Sequence, residues 1–251
     1  MPRKPARRET RVVIVHHHIF KCAGTSLDTI LEASFPGRLS AAEPRTREDA
    51  QEWIRQTPEC VAYTSHHAPL GLALDGVTIL PALFLREPFT RIVSAYGFER
   101  RQGEAGHTGR GARLAAHHDF AGWLEQRLDT PGDRQVSELQ STRLATLFDA
   151  AEPDPARAID AFAALPFVGL VEAFSPSIAA LAACAAQHGL RLAIRTPSAH
   201  ALGYGETAAE ALASLPAALR ERLIAANRYD VALHRTVAQR YGIAADSPVA
   251  A

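Results

Sequence analysis

The stretch Val12-Val13-Ile14-Val15-His16-His17-His18-Ile19-Phe20-Lys21-Cys22-Ala23-Gly24-Thr25-Ser26-Leu27 decides the fold. Four β-branched residues in a row, bounded by charge, fit a strand buried on both faces. Leu27, Ile30 and Leu31 then recur at helical spacing, so a helix follows the loop directly. Between them, Phe20 to Ser26 is rich in small residues and ends in two hydroxyls. The N–H groups of a helix's first turn have no intrahelical partner, and small residues let an anion approach them. Lys21 adds a cation, so the loop suits a phosphate-like group.

Two further apolar runs end in polar residues. Cys60 to Tyr63 runs out at Ser65-His66-His67, and Val77 to Leu85 at Arg86. Pro88 is tolerated in a first helical turn, where its missing N–H has no partner anyway. Ile92, Val93, Ala95 and Tyr96 continue that helix. The four glycines and five charges of 100–113 predict an exposed, mobile loop. Helical patterning covers 120–148 with a break at Pro131-Gly132, and 208–241 with a break near Pro216. Phe167 to Val171 is a fourth strand, and Leu190 to Ile194 a candidate fifth. Ser175-Pro176 reads as the cap and first residue of a helix through Ala186.

Strands alternating with helices predict an α/β fold: three layers, a central mostly parallel sheet and helices on both faces. Ligands of such sheets bind beyond the carboxyl ends of the strands, which here are Phe20–Ser26, Ser65–Pro69 and Arg86–Ser94. The whole of 11–245 reads as one domain behind a basic, disordered tail over 1–10.

Composition narrows the function. The 251 residues carry 27 Lys plus Arg against 27 Asp plus Glu, so no global charge argues for nucleic acid. Cys22, Cys60 and Cys184 are too scattered for a disulfide framework or a zinc pattern. With neither a signal-like segment nor an apolar span of about twenty residues, the expectation is a cytoplasmic protein without a membrane anchor. His16-His17-His18 is discounted as a metal site, because successive strand residues point to opposite faces. The first loop is also not a G-x-x-x-x-G-K-[ST] motif, since Lys21 stands four residues before Thr25. That counts against a Mg-nucleotide triphosphatase.

His18-Ile19-Phe20-Lys21-Cys22-Ala23-Gly24-Thr25-Ser26-Leu27 resembles the H-I-P-K-T-G-G-T-S-L signature of the carbohydrate (heparan-type) sulfotransferases, with Phe20 for proline and Cys22 for threonine. Leu85-Arg86-Glu87-Pro88 through Arg91, Ser94 and Tyr96 is similar to the family's L-R-D-P-x-x-R-x-x-S-x-Y. Ser65-His66-His67-Ala68-Pro69-Leu70-Gly71 is similar to G-H-x-P-[FY]-G, with the family's histidine on His67. Weaker likenesses follow in order: Gln140-Ser141-Thr142-Arg143-Leu144, Phe167-Val168-Gly169-Leu170-Val171-Glu172, and Asn227 through Asp230 to Leu233.

The resemblance implies a P-loop-NTPase-like scaffold and 3′-phosphoadenosine 5′-phosphosulfate (PAPS) as co-substrate. Lys21, Cys22, Ala23, Gly24, Thr25 and Ser26 would hold the 5′-phosphosulfate, and Arg86 and Ser94 the 3′-phosphate. His67 would be the general base and Lys21 the stabiliser of the leaving phosphate. His66, Arg143 and His117 stand as secondary or acceptor contacts. The implied acceptor is a hydroxyl of a carbohydrate or small molecule, with no metal required. The competing readings are a phosphotransferase on the same scaffold and a nucleotide-binding protein without turnover.

Overall fold

The computed structural model describes residues 10–194 and 208–243. The basic tail, save Thr10, lies outside the described residues.

Strand β1 (Arg11–His17) is central in a parallel sheet of order β2-β3-β1-β4, with β2 at Leu39–Ala41, β3 at Ala62–Ser65 and β4 at Val77–Ala82. Ile14 pairs in register with Ala62 on one side and Leu80 on the other. Because side chains alternate along a strand, β1 serves two cores. Ile14 packs with Leu27, Ile30 and Leu31 of helix α1 (Gly24–Ser34). Val13 and Val15 face the opposite way, onto Tyr63 and onto Ile54 of α2 (Arg47–Gln56). The sheet is therefore covered on both faces, as the unbroken β-branched run requires.

The run from Val77 to Leu85 is not one strand. It breaks at Leu83, and β5 (Phe84–Leu85) pairs in parallel with β6 (Gly169–Leu170) as a separate ladder. A side chain at Gly169 would enter the Phe84 ring, so this close strand pair needs a residue without Cβ.

Three expectations are corrected. The glycine-rich stretch over 100–113 is mostly helix: α3 (Pro88–Glu104) runs into it, and α4 (Arg110–His117) starts after five intervening residues. A Cβ at Gly103 would strike the carbonyl of Ala112, so this glycine admits a close helix crossing. Leu190 to Ile194 forms no strand, although Leu190 and Leu192 pack on the main core. Helix α8 (Phe174–Gln187) begins one residue before Ser175, straight out of a short turn of 3₁₀ helix, so Ser175 does not cap it.

Other helices build a second apolar core. Phe89 and Ile92 of α3 pack there with Trp123 and Leu124 of α5 (Phe120–Leu128). Leu212 of α9 (Ala208–Ala213) and Leu219 and Leu223 of α10 (Ala217–Ala225) complete it. Asp119 caps α5 by accepting from Gly122 N at 2.9 Å. Helices α6 (Leu139–Ala145), α7 (Ala158–Ala164) and α11 (Arg228–Arg240) close the first core from below. Among the described residues, no helix is long and apolar enough to cross a membrane.

Candidate active site

The loop after β1 has an unusual backbone. Lys21 (φ 64°) and Ala23 (φ 58°) both adopt left-handed conformations, although neither is glycine. Such residues cost of order 1–3 kcal/mol each and persist only where the surroundings enforce them. Ala23 is the N-cap of α1 and offers no side-chain acceptor, so no side chain caps the first N–H groups of this helix. Such a helix start is chemically suited to an anion. Gly24 is small for a different reason from the one its sequence context suggests. The imidazole of His18 lies where its Cβ would be.

Lys21 is half-buried, its Nζ resting 4.6 Å from the centre of the Phe98 ring on α3. Phe20, the residue in place of the resemblance's proline, meets the same ring edge-on. Burial lowers the Lys21 pKa, and Arg101 and Arg86 lower it further. The loop is thus electropositive. Cys22 faces inward and is 1% exposed. Its side chain belongs to the main core, so residue 22 meets any bound phosphate through its backbone only. Burial pushes its thiol up to about 12.

Arg86, at the end of β5, reaches across to this loop and donates Nη1 to the carbonyl of Lys21 at 3.4 Å. The neighbouring Glu87 is the N-cap of α3, accepting from Thr90 N at 2.7 Å. Its own N–H donates to Glu172 at 2.8 Å, which gives the F-V-G-L-x-E element a bracing role at the start of α3. Ser94 lies two turns into α3 and is buried.

The strand end that carries Arg86 is held by a residue whose importance its sequence hides. Gln140, 1% exposed, clamps Arg86 at both backbone groups. Its Oε1 accepts from Arg86 N and its Nε2 donates to Arg86 O, each at 2.8 Å. The thiol of Cys22 donates to the same Oε1 at 3.6 Å. One amide therefore joins the phosphate loop to the arginine.

Gln140 in turn is fixed by reciprocal helix caps. Asp230 of α11 accepts from the N–H groups of Gln140 and Ser141 and from the Ser141 hydroxyl. Glu138, left-handed at φ 49° and N-cap of α6, accepts from Tyr229 N and Asp230 N. Each carboxylate neutralises the positive end of the other's helix. Asn227 adds a bond from Nδ2 to Val136 O at 2.7 Å. The N-x-x-D-x-x-L element is thus an anchor and touches no ligand position.

The third exit is a tightly braced turn. Ser65 Oγ accepts from the N–H groups of His67 and Ala68 and donates to Glu43. Buried His17 donates Nδ1–H to Ala68 O at 3.0 Å, and burial lowers its pKa to about 3. Arg143 donates to the same carbonyl and to that of His66. It positions the turn through the backbone, which explains its place in the motif.

His66 and His67 diverge from here. His67 is exposed, near Arg45 and Glu43. His66 turns inward, donates Nδ1–H to His18 O at 3.0 Å and packs its ring 4.0 Å from that of His18. Burial lowers the pKa of both, favouring the neutral ring. His117 is exposed on the last turn of α4.

The strand-face argument against a histidine cluster also needs correction. His17 does point away, but His16 and His18 share the α1 face, where Asp28 meets both. His16 Nδ1 lies 2.7 Å and His18 Nδ1 3.4 Å from the two carboxylate oxygens. Burial lowers the His16 pKa against the pull of Asp28.

The site thus combines an uncapped helix start beside a lysine with an arginine braced at the end of β5. Residues 5–235 match the model of the sulfotransferase family, and the chain belongs to that family. It is 35% identical over 184 residues to an uncharacterized protein of Archaeoglobus fulgidus, across 68% of this chain and 72% of that protein. A sulfotransferase crystal structure from Alicyclobacillus acidocaldarius aligns with 91% of this chain and 96% of its own at 16% identity, with a TM-score of 0.46.

Proposed function

We propose that the protein transfers a sulfuryl group from PAPS to a hydroxyl of a carbohydrate or small-molecule acceptor. The observation that carries the reading is the bond from Arg86 to the Lys21 carbonyl. It brings together the exits of β1 and β5, two elements that each suit an anion, as a ligand with separate 5′ and 3′ phosphates demands. An arginine fork matches phosphate oxygens, while the loop N–H groups and Lys21 suit the phosphosulfate end.

The reaction is an in-line displacement. The acceptor oxygen forms a bond to sulfur as the bond from sulfur to the phosphate oxygen breaks. The hydroxyl proton passes to an imidazole, and the departing phosphate gains charge that Lys21 and the loop N–H groups meet. Arg86 and Ser94 hold the donor by its 3′-phosphate.

Two imidazoles compete for the proton. The motif favours His67. Orientation favours His66, because its Nδ1–H is committed to the His18 carbonyl, leaving the Nε2 lone pair as the base.

The test is sulfate transfer from radiolabelled PAPS to a panel of acceptors without added metal, run on wild type, His66→Ala and His67→Ala. Transfer should be abolished or slowed by about 10²–10⁴ in the variant lacking the base and little changed in the other. Tighter binding of Mg-ATP than of 3′-phosphoadenosine 5′-phosphate (PAP) would overturn the donor assignment in favour of phosphoryl transfer.

A further inference from the structure

Behind the phosphate loop, one carboxylate faces two imidazoles in a place where no part of the proposed transfer uses them. His16 is 1% exposed and His18 only 13% in its side chain. Their rings stack almost parallel, 16° apart with centres at 5.1 Å, so both Nδ1 atoms face Asp28. His66 closes the stack on the far side of His18. Thr64 Oγ1 stands 3.1 Å from His16 Nδ1.

We propose that His16, His18 and Asp28 form a binding site for a divalent transition-metal ion that clamps β1 to α1 beneath the phosphate loop. One ligand atom from each residue lies within 4.8 Å of the others; His16 Nδ1 is 2.7 Å from one Asp28 carboxylate oxygen and His18 Nδ1 3.4 Å from the other. Ligands at about 2.0–2.1 Å from a tetrahedral Zn²⁺ are roughly 3.4 Å apart, so the His16–Asp28 contact must open and the widest pair close for the cluster to hold an ion. Two imidazoles and one carboxylate are a donor set for zinc or iron(II), and not for the harder magnesium or calcium, which take oxygen.

The supports of this cluster are those of a metal site. Ligand rings in metal sites are oriented by hydrogen bonds and packing around them. Here His18 is wedged between His16, His66 and the glycine-sized gap at position 24. On binding, each imidazole presents the Nδ1 lone pair and carries its proton on Nε2. The ion replaces the present contact between His16 and Asp28. It would fix the start of α1 beside the His66 ring. The proposal does not depend on the donor or acceptor assigned above.

The experiment uses tag-free full-length protein, with Zn²⁺ in competition against a chromophoric chelator and Co²⁺ as a spectroscopic probe. One equivalent should bind, with half-saturation below about 10 µM. Co²⁺ should give visible d–d bands of an imidazole and carboxylate site. Asp28→Asn, which keeps the shape but loses the anionic ligand, should bind Zn²⁺ at least about 100-fold more weakly. Circular dichroism checks that it folds. If it does not, His18→Gln takes its place with the same expected loss. A His117→Ala, His118→Ala double variant should bind like wild type. Absence of saturable binding to wild type would overturn the proposal, as would unchanged affinity in a folded Asp28 or His18 variant, or loss of binding in the His117 and His118 control.

Discussion

Gln140→Leu is the sharpest perturbation of the site that touches no ligand. Leucine has nearly the same volume, so the core around residue 140 stays filled. What disappears is the pair of 2.8 Å bonds to Arg86 N and O, together with the thiol contact from Cys22. A backbone group left unpaired costs about 1–3 kcal/mol, and the half-exposed position of Arg86 puts each at the low end, so roughly 2–4 kcal/mol in all. For a protein this size, that lowers the melting temperature by about 4–16 °C at 2–4 °C per kcal/mol. The second effect is on binding. A charge-assisted contact to phosphate is worth about 1.5–3 kcal/mol, so misplacing Arg86 should weaken PAP about 10–100-fold. Adenosine 5′-phosphate, lacking the group Arg86 serves, should lose much less. Isothermal titration at fixed ionic strength, paired with urea unfolding, separates the two effects. A destabilised variant that binds PAP with wild-type affinity would refute the idea that Gln140 positions the arginine.

Three further outcomes are expected. Lys21→Ala should slow transfer by about 10²–10³ while changing PAP affinity only a few-fold, since its main interaction develops as the phosphate departs; single-turnover kinetics and titration decide it. Gly24→Ala should destabilise by about 1–3 kcal/mol in urea and weaken PAP binding, because the His18 ring that must yield is held between two other rings and bonded to Asp28. In the native protein at pH 8, iodoacetamide should label Cys184 and spare Cys22, whose buried thiol stays protonated well above that pH; peptide mass spectrometry with and without denaturant reads the difference, and native labelling of Cys22 would contradict its burial.

The parallel sheet, the first loop and Arg86 were legible because each rests on local chemistry. A β-branched run, a small-residue turn and a proline in a helix's first turn announce themselves in a few residues. The elements that escaped are of two kinds. Strand β2 is three residues long and owes its existence to pairing with β3, a tertiary contact that leaves no pattern in Leu39-Ser40-Ala41. Helix α2 did carry a signal, since Thr46 accepts from Asp49 N as a cap, but its apolar face is only Ala50 and Ile54. The misread stretch over 100–113 shows the reverse error. Its glycines mark a close helix crossing, as at Gly103, rather than freedom of the chain. Within the site, the alternation argument was sound for His17 and incomplete for its neighbours. Asp28 comes from another element, and no strand rule counts it. Gln140 was likewise visible only as a weak match, because its meaning lies in what it holds.

The paired caps of Glu138 and Asp230 have a consequence for how this protein acquires its site. Asp230 bonds a residue 90 positions earlier in the chain, and that residue sets the arginine at position 86. The phosphate loop is made of neighbours and can form as soon as β1 and α1 meet. The arginine beside it waits for α11. A chain arrested before Asp230 would hold the loop without the brace that sets Arg86 beside it. Such long-range closure is slow to reach. It makes completion of the ligand site a late event that reports on the folding of the rest of the chain.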